Sequence, residues 1–546
     1  MLPFLLLLLS AFGDSESTPC SNFQEYACTT PLGKQIPIGS SFYVEAVPHL
    51  KVYGKDSVMK ILEKAGDSSC RSRSSKHGQR PSQPGYLAAF GVNQHFDISV
   101  SVRKRTIEFV STDQSRESVR TVRPFSKCPH GVQKHVRDFF SVVDPNRRFR
   151  FDRFSVTYDR DTLKEEASRG KRSVEEKLLK YGGVLREKDD PFGHLNFDFA
   201  SYMNLLYAHI LLPVNPDLVH SPELVDELHK MAFDIKGEIT HQINETSWVT
   251  KKEKAKIVRL FESKHVHFGA PREFLNGVMV NEALSWFQTT FLALHNDTDV
   301  MQRLSNEEQS CPFFYKAIFR FAHNSFKLHH DDFDFKSYVS SSFPLSTIPY
   351  YLYNAFIFLP TNEIFFPSPF IYDYKAEYPL AFKYGSIGQT IGHEMFHAPD
   401  LNLLLERSRE CYEEHYGSFT FTHCQKEGPT ENCIPLEPPG AMKAAEGFAD
   451  IQSVRAGVRA VQRLHGDKEQ NLDLYFQGLG AVFCESYKEY RSKLDIEAIW
   501  SEVFFNAHPR AEIRVNAMVR QLQEFTDHFH CRPEEKMHRE DVLCGA

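Results

Sequence analysis

His393-Glu394-Met395-Phe396-His397 sets two imidazoles four residues apart, with a carboxylate directly after the first. On a helix, residues i and i+4 share a face, so both rings can reach one metal ion. Zinc accepts neutral histidine nitrogens at about 2.0–2.1 Å in tetrahedral geometry, and a catalytic site leaves one position for water. Glu394 is placed to take a proton from a water whose pKa the metal lowers. The chain has 25 histidines, so this pattern alone is a moderate signal. It needs a third ligand, and a group that orients the first two.

Ala445-Glu446-Gly447-Phe448-Ala449-Asp450 can supply both. A helix can begin after Pro438-Pro439-Gly440, and Gly466 can end it. Glu446 and Asp450 are again i and i+4. Ala445, Phe448, Ala449 and Val454 flank them, which predicts burial, and carboxylates there are costly unless paired or metal-bound. Taken alone, the stretch also reads as a solvated helix face. Beside the two histidines, a site of His393, His397 and Glu446 holding one Zn2+ per chain is the better reading. A third element is Asn506-Ala507-His508-Pro509, followed by Arg514-Val515-Asn516. A positioned His or Arg there could stabilise the oxyanion formed during hydrolysis. Taken alone, His508 is more often a structural histidine.

The elements that must hold these residues follow from pattern. Helical periodicity covers 386–397, 441–465 and 511–530, and dominates 173–335, with long amphipathic stretches such as 219–264. Tyr350 to Pro379 is rich in aromatic and β-branched residues and prolines, which predicts short strands and turns. Residues 102–124 alternate in places, as strands do. Residues 71–85 are polar and aperiodic, a surface loop or insert. Arg169-Gly170-Lys171-Arg172 could be a dibasic cleavage point, although an exposed loop is the plainer reading. A chain of 546 residues exceeds what one core supports; cores stop growing near about 250–300 residues, so two lobes or more are expected.

The net charge of −7 argues against nucleic-acid binding. The leucine-rich start, ending Ala11-Phe12-Gly13, is too short to span a bilayer and reads as a signal peptide over 1–13. A short membrane anchor is the alternative. No other stretch reads as a membrane helix. Eleven cysteines without a C-x-x-C pair, and sequons at Asn244 and Asn296, fit an extracellular address. An odd count leaves at least one thiol free or paired between chains.

With these pieces assembled, the chain resembles the neprilysin and endothelin-converting-enzyme family of zinc metallopeptidases. Tyr384 through Glu394 is similar to that family's lead-in to its zinc helix. Tyr353-Asn354-Ala355-Phe356 is similar to its substrate-binding Asn-Ala strand, and Glu446 with Asp450 to its third-ligand motif. His508 and Arg514 match its transition-state His and substrate-carbonyl Arg. The resemblance is strongest from about 349 to 544 and weak between about 70 and 250. It implies a mainly α fold with a small β component, a two-lobed neprilysin-like ectodomain with a thermolysin-like catalytic lobe. On that pattern 14–345 is an N-terminal, mostly helical lobe whose start packs on the other, and 346–546 is the zinc catalytic domain. The implied roles are Glu394 as base, Asp450 orienting a zinc-bound His, and His508 on the oxyanion. Asn354, Ala355 and Arg514 would hold peptide substrate. The implied disulfides are Cys20–Cys531, Cys28–Cys484, Cys70–Cys311 and Cys411–Cys544, with Cys424–Cys433 a small loop and Cys128 left over.

Several residues depart from the family. The region before 345 is short for it. Pro399 must stop the zinc helix near His397, although Asp400 could still orient His397. Gln389 replaces an apolar pocket residue, Phe483 a Trp, and Phe42 an Arg that grips a substrate carboxylate. The family's usual C-terminal Trp is not there. The expected function is a secreted endopeptidase acting on oligopeptides on the amino side of apolar residues. The rivals are a pseudo-peptidase that binds extracellular peptides without cutting them, and an aminopeptidase, for which no acidic anchor stands out. Oligomeric state is not readable.

Overall fold

Ile387, Ile391, Met395 and Phe396 give the HExxH helix apolar residues to bury beside its polar ones, which suits an interior position. In the computed structural model it spans Ile387–Phe396, with Ile387, Ile391, Met395 and Phe396 buried along with His393 and Glu394. It packs against Gly440–Gln462, the glutamate helix, and Pro222–Glu245. Gly392 makes this approach possible: a Cβ there would lie 2.9 Å from Ser453 Cβ and 3.5 Å from Ile235 Cγ2. His397 caps the helix, as the proline two residues on requires.

The structure describes residues 18–35, 41–52, 96–101, 105–111, 120–143, 150–159, 200–298, 348–358, 363–398, 401–419, 421–427, 430–437, 439–484 and 506–545, with a few isolated positions. The proposed signal segment, the 71–85 and 169–172 loops, Asp400, Cys70 and Cys311 lie outside these residues. Within them the chain is mainly helical with three small sheets. Strands Thr106–Ser111 and Arg120–Pro124 fall in the stretch that alternates in sequence. Expected element bounds differ at two places. The glutamate helix ends at Gln462 rather than near Gly466, because Arg463 and Leu464 donate to Ala460 and Val461 oxygens and close the end early. The 511–530 pattern is two helices, Ala511–Val519 and Gln523–Phe529, with Leu522 extended between them.

Buried apolar residues form two clusters. One gathers the HExxH and glutamate helices, Pro222–Glu245, the amino-terminal helix Phe23–Thr29 and the chain's last helices. The other gathers Gly277–Asn296, Ala200–Leu211 and His130–Val143. A sheet of Val266–Phe268, Glu363–Phe366 and Phe356–Phe358 runs between them, with Glu363–Phe366 central. Side chains alternate across a strand. Ile364 and Phe366 therefore enter the first cluster and Phe365 the second.

Disulfides Cys20–Cys531, Cys28–Cys484 and Cys411–Cys544 form as the resemblance implied. Cys128 is a buried free thiol. Backbone register sets Cys424 opposite Cys433 in the hairpin Phe421–Glu427 and Thr430–Leu436. Among the described residues no helix is long and apolar enough to cross a membrane.

Two predictions follow from how these helices close. A Cβ on Gly447 would sit 2.1 Å from the buried Tyr416 ring of helix Asn402–Gly417. Gly447→Ala should lower unfolding free energy by about 1–3 kcal/mol in urea titration; an unchanged midpoint would contradict that packing. His415 in the same helix bonds the Ala517 oxygen at 3.0 Å and contacts Gln521 Nε2 at 3.4 Å, which satisfies a neutral ring. Burial first, then the charges of Arg520 and Arg455, push its pKa down to about 4. Between the unfolded value of about 6.5 and the folded value, the unfolded chain binds a proton that the folded chain refuses, so stability falls as pH falls. His415→Gln should flatten that loss by about 2 kcal/mol between pH 7 and 4.5, read from urea midpoints. Equal slopes in the two proteins would refute it.

Candidate metal centre

The two sequence motifs meet because their helices pack face to face. His393 Nε2 and His397 Nε2 lie 2.9 Å apart, and each lies 3.3 Å from Glu446 Oε2. Tetrahedral bonds of about 2.0–2.1 Å put neighbouring ligand atoms roughly 3.3 Å apart, so the triangle is close to one face of such a site. Glu446 Oε2 is buried with no hydrogen-bond partner among the described residues. An orphaned carboxylate oxygen among ring nitrogens is what a metal ligand looks like without its ion. His508 Nε2 is a further 3.1 Å neighbour of that oxygen, and His393, Glu446 and His508 also form a possible ligand group. His508 differs from His397 in being half exposed.

Asp450 completes the centre from behind. It has no solvent exposure, and its Oδ1 lies 2.7 Å from His393 Nδ1. That bond fixes the ring and leaves Nε2 to face the ligand point. Arg514 donates to both Asp450 oxygens, at 2.6 and 2.7 Å, and lies over the Phe483 ring. Gln389 Nε2 donates to Oδ1 at 3.3 Å. These four donors match the roughly four acceptor sites of a carboxylate.

The electrostatics favour a cation. Burial would neutralise Asp450, but Arg514 and His393 outweigh it and hold its pKa at about 2. Burial would likewise raise Glu446, and the neighbouring His393 and His397 hold it well below the usual range. Burial works to lower His393, yet Asp450 and Glu446 lift it to about 9. With neutral histidines, the carboxylates of Asp450, Glu446 and Glu394 outnumber the cations Arg514 and Lys443, so a negative charge remains for a cation to offset. Burial pushes the Glu394 carboxyl above its ordinary range. His508 is pushed down by the hydration it loses in the cleft, although half exposed, and by Arg514.

All of these residues except Asp450 line one cleft of about 990 Å3. Asn354 and Ala355 line it too, but they precede the regular strand, which begins at Phe356. Among the described residues that strand is one of the two outer strands of its sheet, Val266–Phe268 being the other. Tyr43, rather than Phe42, faces the cleft; Phe42 is buried, with its N–H on Asp373 Oδ1. Gln389 lines the cleft as expected, while its amide also serves Asp450. Sequence reading passed over Lys443, buried beside the centre. Its signal was a lone charge in the apolar run Ala441-Met442-Lys443-Ala444-Ala445.

Two histidines and a glutamate surround one point, with a second glutamate in the same cleft. Residues 354–542 match the model of peptidase family M13, in line with the family resemblance. Membrane metallo-endopeptidase-like 1 of Homo sapiens is 26% identical in an alignment 216 residues long that covers 34% of this chain and 26% of that protein. Neprilysin-2 of Drosophila melanogaster is 22% identical in an alignment 342 residues long that covers 57% of this chain and 38% of that protein. The chain thus spans about a quarter to two-fifths of these relatives' length. A solved Haemonchus galactose-containing glycoprotein complex aligns with 97% of this chain and 96% of its own, at 12% identity and TM-score 0.48.

Asp450→Asn should weaken metal binding by about 10–100-fold in chelator competition, because the bond that sets the His393 tautomer is lost. Unchanged affinity would show that Asp450 does not support the centre.

Proposed function

We propose that the chain is a secreted zinc metalloendopeptidase that hydrolyses oligopeptides, on the amino side of apolar residues. The observation that carries this reading is the convergence of His393 Nε2, His397 Nε2 and Glu446 Oε2, with Glu394 in the same cleft. Zinc held there supplies a Lewis acid that polarises a scissile carbonyl and makes water acidic. Glu394 accepts the water's proton and returns it to the leaving amine. His508 donates to the developing oxyanion. A peptide lies along the strand Phe356–Phe358 in the cleft, as an added strand would, with Asn354 and Ala355 at the strand's entry. Arg514 holds Asp450, and through it His393, and can reach substrate from the same wall.

Three disulfides support an oxidising compartment, and with it a signal segment over 1–13 and glycosylation at Asn244 and Asn296. The first apolar cluster supports a catalytic lobe that takes most of the chain from about 346 onward, with the chain's start and Pro222–Glu245 joined to it, although Ile348, Tyr350, Phe365 and Tyr372 pack in the second cluster. The peptide preference rests on the family resemblance and on Phe370, Val482 and Phe483 in the cleft wall.

Glu394→Gln keeps size and removes the base. The variant should retain its metal and lose peptide cleavage by at least about 100-fold, followed with internally quenched peptides. Cleavage within tenfold of the parent would contradict the assignment of Glu394. Zinc-loaded parent protein that cuts nothing would leave the peptide-binding alternative.

A further inference from the structure

Lys443 lies in the first turns of the glutamate helix, with only 1% of its surface exposed. That is a poor place for a cation. Burial strips its hydration, and the positive end of the helix dipole repels it. A residue that breaks two local rules usually serves something outside its helix. The Lys443 ammonium donates to the backbone oxygens of Asn506 and His508, the latter at 3.2 Å. Asn506 Oδ1 in turn accepts the His508 N–H at 2.9 Å, and Pro509 fixes the next φ. The main chain on both sides of His508 is therefore tied, and Lys443 provides the tie that reaches the helix bearing Glu446.

We propose that Lys443 is a positioning residue. It clamps the 506–509 loop to the glutamate helix, one turn ahead of Glu446, and so holds the His508 ring beside the metal centre at 3.1 Å from Glu446 Oε2. Glu446 and His508 then move as one unit, although 62 residues of chain separate them. The role in turnover rests on the peptidase reading above; the clamp itself does not.

The test uses full-length protein with Lys443→Met, which keeps the stem and removes the charge, His508→Ala, and the double variant. Hydrogen exchange and zinc stoichiometry are measured beside peptide cleavage. In Lys443→Met the 506–508 amides should exchange about tenfold faster or more, while the HExxH helix and the zinc content stay as in the parent. Its kcat should fall about tenfold or more with little change in KM. Adding it to His508→Ala should change kcat by less than about twofold. Lys443→Arg should recover part of the loss. Unchanged loop exchange would overturn the clamp, as would faster exchange along the whole glutamate helix. Losses that multiply in the double variant would overturn the link to His508. If Lys443→Met does not fold, Lys443→Gln carries the same comparison. A parent protein that cleaves nothing would remove the peptidase reading, while loop exchange would still decide the clamp.

Discussion

Asp450 is shut off from solvent, and an ionised carboxylate in such a place must be met by donors on every side. His393, both faces of the Arg514 fork and the Gln389 amide meet it. Three helices are committed by this single group. The HExxH helix brings His393 and Gln389, the glutamate helix brings Asp450, and Ala511–Val519 brings Arg514. Once Asp450 is fixed, Glu446, one turn earlier on the same face, faces the two ring nitrogens. Close packing depends on the same arrangement, since Gly392 and Gly447 let the helices approach where a side chain would hold them apart.

Around this centre the fold supplies a cleft between two apolar clusters. The strand Glu363–Phe366 divides them by simple alternation, and its neighbour Phe356–Phe358 leaves an edge at the cleft. The amino-terminal helix belongs structurally to the far end of the chain, tied there by Cys20–Cys531 and Cys28–Cys484. Such long-range ties restrict the unfolded chain most, since the loops they close are large.

The centre was legible in the sequence to the extent that metal chemistry dictates residue type and spacing. Two histidines and two carboxylates at i and i+4 could be read directly; in the structure the two rings and Glu446 surround one point, and Asp450 stands behind His393. The disulfides were legible only through family resemblance, because cysteine spacing does not specify pairing. What escaped depends on packing between distant segments. Arg514 was read as a substrate group, and in the structure its fork lies on Asp450. Gln389 was read as a pocket residue, and its amide also serves that carboxylate. Lys443 had no motif at all, because its partners are backbone oxygens 63 and 65 residues further along. Helix ends at Gln462 and Val519 were missed because local 3₁₀-type bonds and a buried extended leucine, not glycine or proline, set them.

Anomalous diffraction at the zinc edge, from crystals of the protein loaded with zinc, tests the ligand set most directly. The predicted result is one peak per chain, about 2.0–2.2 Å from His393 Nε2, His397 Nε2 and a Glu446 oxygen, with the His508 ring outside bonding distance. A peak bonded to His508 in place of His397, or no peak between the HExxH and glutamate helices, would contradict it.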